Sequence, residues 1–255
     1  MIIKIKQIVA FITITCVFSC KQAPDKLTSI TPVILPVDAK YPSVDSISTY
    51  IAPYKNRIDE VLDSTLAYAP FDISKTDGQL NTTAGNLLAD VVYHMANPIF
   101  KKRTSNSIDG VLLNHGGIRS VISKGNVSAR TAYEVMPFEN TIEVVALKGE
   151  AMQQLFTYLA TNRKAHPIHG FEILLSANGG LQKTEIQNKP FDTNKTYFIA
   201  TSNYLANGGD AMIFFKTNEG IFATDYLIRN ALIDYFTKVD SLQPKIDNRF
   251  TQTHN

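Results

Sequence analysis

Residues 202–210 carry the densest set of groups that could hold a small ligand. They read Ser-Asn-Tyr-Leu-Ala-Asn-Gly-Gly-Asp and follow residues 197–201, whose alternating, β-branched side chains predict a buried strand. An aromatic ring stacks on a flat heterocycle, glycine lets a ligand approach the backbone, and a carboxylate accepts hydrogen bonds from sugar hydroxyls. Taken alone, the segment also fits a surface turn with a core tyrosine. The candidate binding residues are Tyr204, Gly208, Gly209 and Asp210.

A second segment, residues 113–119, runs from a predicted strand into paired glycines. Its asparagine can pair with the edge of a heterocycle, and its arginine is a planar donor for phosphate or hydroxyl groups. The same pattern also fits a hairpin turn with a surface arginine. The candidate binding residues are Asn114, Gly116, Gly117 and Arg119.

The third segment is Met-Pro-Phe-Glu-Asn at residues 136–140. Proline fixes the backbone just before Phe138 and so holds the aromatic ring in a defined place. In isolation, a phenylalanine packed in the core explains this segment better than a binding site does.

The elements that must position these groups follow from hydrophobic periodicity. Helical spacing covers residues 46–69, 82–95, 131–135 and 150–159, and a last helix is predicted over 225–239. Apolar or alternating runs predict strands at 111–113, 142–147, 171–175, 181–186 and 196–201. The second helix is expected to end near Asn97 and Pro98. Because helices and strands mix without strict alternation, the sequence predicts an α+β (mixed α/β) fold.

Composition agrees with a globular protein. The 255 residues are 44% hydrophobic and 19% charged, and the net charge is +2. Nothing in this balance indicates a nucleic-acid partner.

The first residues predict export and lipid anchoring. A short basic stretch precedes an apolar run over residues 8–18, which is too short to span a bilayer. The run ends in Val-Phe-Ser-Cys, which is similar to a bacterial lipobox with Cys20 as the acylated residue. We expect a signal peptide at 1–19, a Pro-rich tether at 20–41 and one domain at 42–255, attached to the bacterial cell envelope. A signal peptide cut elsewhere, or a membrane anchor, is the alternative.

Together with Gly-Asn-Leu-Leu-Ala-Asp at residues 85–90, the three segments resemble the C-terminal, substrate-recognition domain of the 5'-nucleotidase family. The resemblance runs from about residue 51 to residue 250, with four motifs in the family order. It implies a nucleobase held between two rings, at Phe138 and Tyr204. It also implies that Asn114 hydrogen-bonds the base and that Arg119 and Asp210 meet the ribose or phosphate.

Two positions depart from the family pattern. Leu80 stands where a basic residue, often arginine, contributes in some members, which implies a weaker hold on phosphate or a hold from elsewhere. His115 stands where many members have glycine, so the resemblance implies a narrower pocket or a second polar contact there.

Full-length members of the family hydrolyse their substrates in a separate metallophosphatase domain that binds two divalent metals. Its signatures, such as Asp-x-His and Gly-His-x-His, do not occur in this sequence, which contains five histidines. We therefore expect no cofactor, metal site or catalytic residue on this chain. The paired histidines at His166 and His169 lack a carboxylate-rich ligand run, and we expect no metal there.

The sequence leads to the hypothesis of a lipid-anchored recognition component of a split 5'-nucleotidase. It would bind nucleoside monophosphates or related nucleotides and act with a separate metallophosphatase chain that holds the two metals. A nucleoside- or nucleotide-binding lipoprotein without an enzymatic role is the main alternative, and a degenerate structural module is the third.

Overall fold

The computed structural model describes Leu27 and residues 29–38 and 40–253. The signal peptide, Cys20, part of the predicted tether and His254 lie outside these residues. Residues 51–255 form the larger of two compact units. Within the described ranges, no helix combines the length and the apolar character needed to cross a bilayer.

The helices in chain order are α1 (Asp45–Asp63), α2 (Thr83–Thr104), α3 (Ala129–Val135), α4 (Glu150–Asn162), α5 (Asn203–Ala206) and α6 (Ile228–Phe236). The strands are β1 (Thr65–Ala69), β2 (Gly110–Leu112), β3 (Gly125–Ser128), β4 (Thr141–Lys148), β5 (Ile168–His169), β6 (Phe171–Leu175), β7 (Leu181–Ile186), β8 (Lys189–Pro190), β9 (Thr196–Ser202), β10 (Gly220–Leu227) and β11 (Phe250–Gln252). The mixed composition confirms the predicted α+β class.

A five-stranded sheet in the order β10-β4-β9-β2-β5 divides the core of the larger unit in two. Its strands pair antiparallel except for β2 with β9. Val111 and Val144 pack into a core with residues of α2 and α6, whereas Leu112 and Val145 pack into a second core with residues of α4. Burial on both faces explains why these strands read as continuous apolar runs.

Two smaller sheets complete the fold. Strands β1 and β3 pair antiparallel, and the other sheet has the order β11-β6-β7-β8. Strand β11 joins β6 in parallel, whereas β6, β7 and β8 form antiparallel pairs.

The start of α2 depends on distant backbone. Thr82 caps the helix by accepting the Gly85 N–H at 3.1 Å, as the sequence predicted for Thr82 or Thr83. Just before it, Asn81 donates to the carbonyl oxygens of Asp247 (3.1 Å) and Phe250 (3.0 Å). Asn86 donates to Asn81 Oδ1 at 2.9 Å and to the Lys245 carbonyl at 2.7 Å. Both amides are buried, and their hydrogen bonds tie α2 to residues 245–250.

Asp90, the last residue of the Gly-Asn-Leu-Leu-Ala-Asp segment, strengthens the same tie. It accepts hydrogen bonds from His169 Nδ1 at 2.7 Å and from Arg249 Nη1 at 2.9 Å. Burial works against ionisation of this carboxyl, but the two donors outweigh it and lower its pKa. The segment therefore joins α2 to β5 and to the residue before β11.

Helix α2 does not end near Asn97 and Pro98, so that prediction was wrong. Proline lacks an N–H and leaves the carbonyl four residues earlier without its helical donor. Burial of the next turn compensates, because Phe100 is buried and its ring lies 5.2 Å from that of Phe198 and 5.5 Å from that of Phe222. Asn97 also binds the loop after the helix by accepting the Ile108 N–H at 2.8 Å.

The helical interpretations of residues 65–69 and 225–227 were also wrong. Residues 65–69 form β1, after a helix that begins before Pro53 and runs through it. Residues 225–227 end β10, a strand that the sequence analysis missed altogether. Ile221 and Phe222 are consecutive apolar residues on this edge strand, and both are partly exposed. The segment therefore lacks the alternation of apolar and polar residues that marks a half-buried strand.

Candidate functional site

Seven of the nine predicted binding residues line one cavity of about 340 Å³. This volume lies in the range of sites for small ligands. Phe138 and Tyr204 are 43% and 46% exposed, which is unusual for large aromatic side chains in a folded domain. The lining residues are Asn114, Gly116, Gly117, Arg119, Phe138, Asn140, Tyr204 and Asp210.

Tyr204 reaches the cavity from the short helix α5, directly after β9. Ser202 caps this helix by accepting the Leu205 N–H at 3.2 Å. Gly209 lies behind the ring, where a Cβ would come within 2.5 Å of ring carbons of Tyr204. Gly208, with φ of +85°, continues the turn in a conformation that favours glycine. Neither glycine lines the cavity: Gly209 lies against the ring of Tyr204, whereas Gly208 faces the side chains of Ile213 and Lys216.

Asp210 is held from several sides. The Tyr204 hydroxyl donates a hydrogen bond to Asp210 Oδ1 at 3.0 Å. The same hydroxyl oxygen accepts a hydrogen bond from the Asp210 backbone N–H at 3.2 Å. Asn114 Nδ2 donates to Asp210 Oδ2 at 2.7 Å. Tyr158 donates its hydroxyl to the Asp210 carbonyl at 2.9 Å. These bonds hold a non-glycine residue at φ of +50° and fix where its carboxylate points.

The loop after β2 brings Asn114 and Arg119 to the same cavity. A Cβ on Gly117 would lie 2.9 Å from Asn114 Oδ1, so glycine there leaves room for the amide. Within the described part of the chain, Asn114 Oδ1 accepts no hydrogen bond and so can accept one from a ligand. Arg119 donates Nη1 to the Gly116 carbonyl at 3.2 Å and stays exposed. Lys75, which does not line the cavity, supports this loop by donating Nζ to the Ile118 carbonyl at 2.6 Å.

Phe138 comes from the loop between α3 and β4. The carbon of the Arg119 guanidinium lies 5.7 Å from the centre of its ring, a cation–π contact. Among the residues that the structure describes, no other aromatic ring packs on Phe138 or Tyr204. Both rings are therefore available to a flat ligand.

Buried polar groups lie behind the Asn114 loop. His166 is 3% exposed, and its Nδ1 accepts the His115 amide N–H at 3.2 Å. Burial, with a smaller effect of the nearby His115, lowers the pKa of His166 to about 4. The imidazole is therefore neutral at pH 7. His115 places its Nδ1 3.3 Å from the Ala165 carbonyl, and it does not line the cavity.

Neither His166 nor His169 is placed for metal binding. His166 contacts the Asn114 loop, whereas His169 binds Asp90 and stacks on Tyr93 at 4.1 Å. In the described ranges, no three His, Cys, Asp or Glu side chains come together as metal ligands. The described residues therefore offer no donor set that fits a two-metal centre.

Sequence reasoning missed two residues at the site. Asn140 lines the cavity, and it lies in the 136–140 segment that the sequence analysis examined only for its aromatic residue. Tyr158 supports Asp210 from α4, where the helical pattern showed only the apolar face. Burial and the charge of Asp210 raise the pKa of the Tyr158 hydroxyl, which therefore stays a donor at neutral pH.

Leu80, where some members of the family that the chain resembles carry a basic residue, is buried in the core that contains α4. It offers no contact to a ligand in this cavity.

Comparison with known proteins identifies the family of this chain. The sequence profile described as 5'-nucleotidase, C-terminal domain, matches residues 61–217.

The chain belongs to this family.

Individual relatives agree with the assignment. Protein UshA of Yersinia enterocolitica is 30% identical over 145 residues, which cover 54% of this chain and 26% of UshA. An apyrase of Tabanus yao is 24% identical over 225 residues, which cover 80% of this chain and 40% of the apyrase. The crystal structure of a 5'-nucleotidase precursor from Thermus thermophilus superimposes with a TM-score of 0.68 at 21% identity, covering 83% of this chain and 44% of that one.

This 5'-nucleotidase C-terminal domain is thus related to nucleotide hydrolases, which are enzymes of nucleotide catabolism. The chain spans less than half the length of each of these three proteins. The Thermus thermophilus structure supports the fold of this chain, whereas the residues that line the cavity indicate what it binds.

Proposed function

We propose that this domain binds the base and sugar of a nucleotide and presents the phosphate to a metallophosphatase on a separate chain. The observation that carries the proposal is the cavity itself, where two half-exposed rings stand beside an amide, a guanidinium and a carboxylate. The Tabanus yao relative is an apyrase and the Thermus thermophilus relative a 5'-nucleotidase precursor, which is consistent with a nucleotide ligand.

Each group has a defined part in this proposal. Phe138 and Tyr204 stack on the base, and stacking on an aromatic ring contributes about 1–3 kcal/mol per base while tolerating different bases. Asn114 Oδ1 accepts a hydrogen bond from the base edge. Arg119 pairs with phosphate or hydroxyl oxygens, because its planar guanidinium matches them in geometry and charge.

Binding the sugar requires no rearrangement of Asp210. Each oxygen of its carboxylate already accepts one hydrogen bond, from Tyr204 or from Asn114. An ionised carboxylate offers about four acceptor sites, so ribose hydroxyls can use the remaining ones. The carboxylate is therefore prepositioned for the sugar.

Hydrolysis requires the partner in this proposal. Two divalent metals on the metallophosphatase would supply Lewis acidity and an activated water. This chain contributes the placement of the nucleotide, because holding a reactant in a productive position lowers the entropic cost of reaction.

Binding is tested by calorimetry of the folded domain with adenosine and AMP. Phe138→Ala and Tyr204→Ala should each weaken adenosine binding about 5-fold to 150-fold, the loss of one stacked face. Phe71→Ala is the matched control, because Phe71 is 39% exposed and does not line the cavity. Unchanged affinity in both cavity variants would contradict the proposal.

The enzymatic role is tested by reconstitution. The purified chain is mixed with Mn²⁺-loaded metallophosphatase chains from the same organism that lack a recognition domain, and phosphate release from AMP is measured. We expect release only from the mixture, and a loss of it with Phe138→Ala. Tight adenosine binding without any effect on such enzymes would favour the alternative of a binding protein without an enzymatic role. Metal-dependent turnover by the lone chain would overturn the split arrangement.

Location belongs to the same proposal. Acylation at Cys20 would hold the domain at the bacterial cell envelope, with the tether spacing it from the membrane. Metabolic labelling with a palmitate analogue should mark the native chain and not Cys20→Ser. Equal labelling of both would refute the anchor.

A further inference from the structure

Arg229 is a buried arginine beneath the loop that carries Phe138. It is the second residue of α6 and is 6% exposed. Among the described residues, no Lys, Asp, Glu or other Arg is buried to this degree. Burying a cation is costly unless it is well paired, so its contacts indicate what it is there to hold.

The polar contacts of the guanidinium lead to the segment around Phe138. Nη1 donates to the Pro137 carbonyl at 3.1 Å, and Nη2 lies 3.5 Å from Glu139 Oε1. The guanidinium carbon lies 4.2 Å from the ring centre of Tyr133 in α3, a cation–π contact. Pro137 and Glu139 are the two neighbours of Phe138 in the sequence.

The residue before Arg229 acts on the same loop. The Ile228 N–H donates to the Asn140 carbonyl at 3.0 Å. The first turn of α6 thus holds the loop both before and after Phe138. The Phe138 ring is 43% exposed and packs on no other aromatic ring of the described residues, and the side chain of Arg119 that contacts it at 5.7 Å is itself exposed. The backbone of the loop is therefore the firmer support of the ring.

The pairing of Arg229 is incomplete. Its Nε is buried and has no hydrogen-bond partner in the described part of the chain. Glu139 is an exposed partner, with 83% of its side chain accessible, and an ion pair of this kind contributes little. The hydrogen bond to Pro137 and the Tyr133 ring are therefore the contacts that matter.

We propose that Arg229 is a positioning residue, which sets the Phe138 ring for base stacking by fixing the Pro137–Phe138 peptide. This inference rests on the proposed function. Proline restricts only its own φ, and the bond from Arg229 Nη1 to the Pro137 carbonyl fixes the rotation that proline leaves free. The orientation of Phe138 then depends on a residue more than 90 positions later in the chain.

A double-mutant cycle with adenosine tests this role. Arg229→Met keeps the length of the side chain but removes its charge and donors, and it should weaken binding about 10-fold when Phe138 is present. In the Phe138→Ala background the same change should have less than about a 2-fold effect, because the ring that it positions is absent. Arg229→Lys should recover part of the loss, since one ammonium can donate to the Pro137 carbonyl but lacks the planar fork.

Arg249→Met is the matched control for lost stability. The Arg249 side chain is 13% exposed and binds Asp90 and Asp247 away from the cavity. It should lower the melting temperature and leave adenosine affinity unchanged. If Arg229→Met does not fold, Tyr133→Leu replaces it, with a smaller loss of binding that again vanishes in Phe138→Ala. Additive losses, or wild-type affinity in Arg229→Met, would overturn the proposal.

A readout without ligand separates this inference from the proposed function. With 4-fluorophenylalanine at position 138, the ¹⁹F resonance should shift or broaden in Arg229→Met and keep its position in Arg249→Met. If the wild type binds no adenosine, the proposed function fails, and an unmoved resonance additionally rejects the role of Arg229. If the wild type binds and the resonance does not move, only the role of Arg229 is rejected.

Discussion

The Tyr204 hydroxyl is expected to act on the sugar and not on the base. Tyr204→Phe removes one oxygen atom and keeps the stacking ring. That oxygen donates to Asp210 Oδ1 at 3.0 Å and accepts the Asp210 N–H at 3.2 Å. Its removal should loosen Asp210, which sits at φ of +50°.

The size of the effect follows from the contacts that remain. A hydrogen bond to a charged group contributes about 1.5–3 kcal/mol and a neutral one about 0.5–1.5 kcal/mol. Tyr204 is half-exposed, so water replaces much of this interaction. Asn114 and Tyr158 continue to hold Asp210. We therefore expect a loss of about 1 kcal/mol in binding, or about a fivefold rise in Kd, for ligands that contact Asp210.

Calorimetry with adenosine and adenine separates the two ends of the ligand. Tyr204→Phe should raise the Kd of adenosine about fivefold and change that of adenine less than about twofold, because stacking is retained. Tyr204→Ala should weaken both ligands and so calibrates the ring itself. An equal rise in the Kd of adenosine and of adenine in Tyr204→Phe would refute the reasoning, because the hydroxyl would then affect binding through the placement of the Tyr204 ring and not through the sugar.

Three further predictions concern the support of the site, its charge and its pH dependence. Gly209→Ala should leave the melting temperature nearly unchanged and weaken adenosine about 10-fold, because the Tyr204 ring must move away from the new methyl group; calorimetry that finds wild-type affinity would contradict this. Arg119→Met should weaken AMP about fivefold more than adenosine through loss of a charged hydrogen bond, and equal losses would exclude a phosphate contact. His166 binds a proton near pH 6.5 when unfolded but only near pH 4 when folded, so its contribution is complete above pH 6.5 and declines as pH falls towards 4. Urea unfolding should show a loss of roughly 2.5 kcal/mol between pH 7.5 and 4.5 that is absent in His166→Gln, and parallel profiles would refute it.

The family, the fold class and most cavity residues could be predicted from the sequence, because each motif is contiguous. Residues 110–119 carry both strand β2 and the groups that follow its end. The segment around Phe138 likewise contains a proline and an aromatic side by side. Such local patterns survive without knowledge of the fold, and here the structure places them around one cavity.

Contacts between distant residues could not be predicted in this way. Arg229 and Tyr158 lie on helices whose pattern shows only an apolar face, and their roles come from loops far away in the sequence. The continuation of α2 past Pro98 depends on packing of Phe100 against two strands, which local propensity does not contain. Strand β10 escaped detection because its pairing with β4, and not its burial, defines it.

The amides of Asn81 and Asn86 have a consequence for how the chain is made. Their carbonyl partners belong to residues 245–250, about 160 positions later. In a nascent chain the two amides therefore lack their long-range carbonyl acceptors, and their burial would leave donors unsatisfied, until the ribosome has added residues 245–250 and they have left the exit tunnel. Strand β11 and Arg249, the later of the two partners of Asp90, arrive at the same time. We expect the domain to close after translation of residue 250 and not gradually during synthesis, so that a chain truncated before residue 245 should remain unfolded.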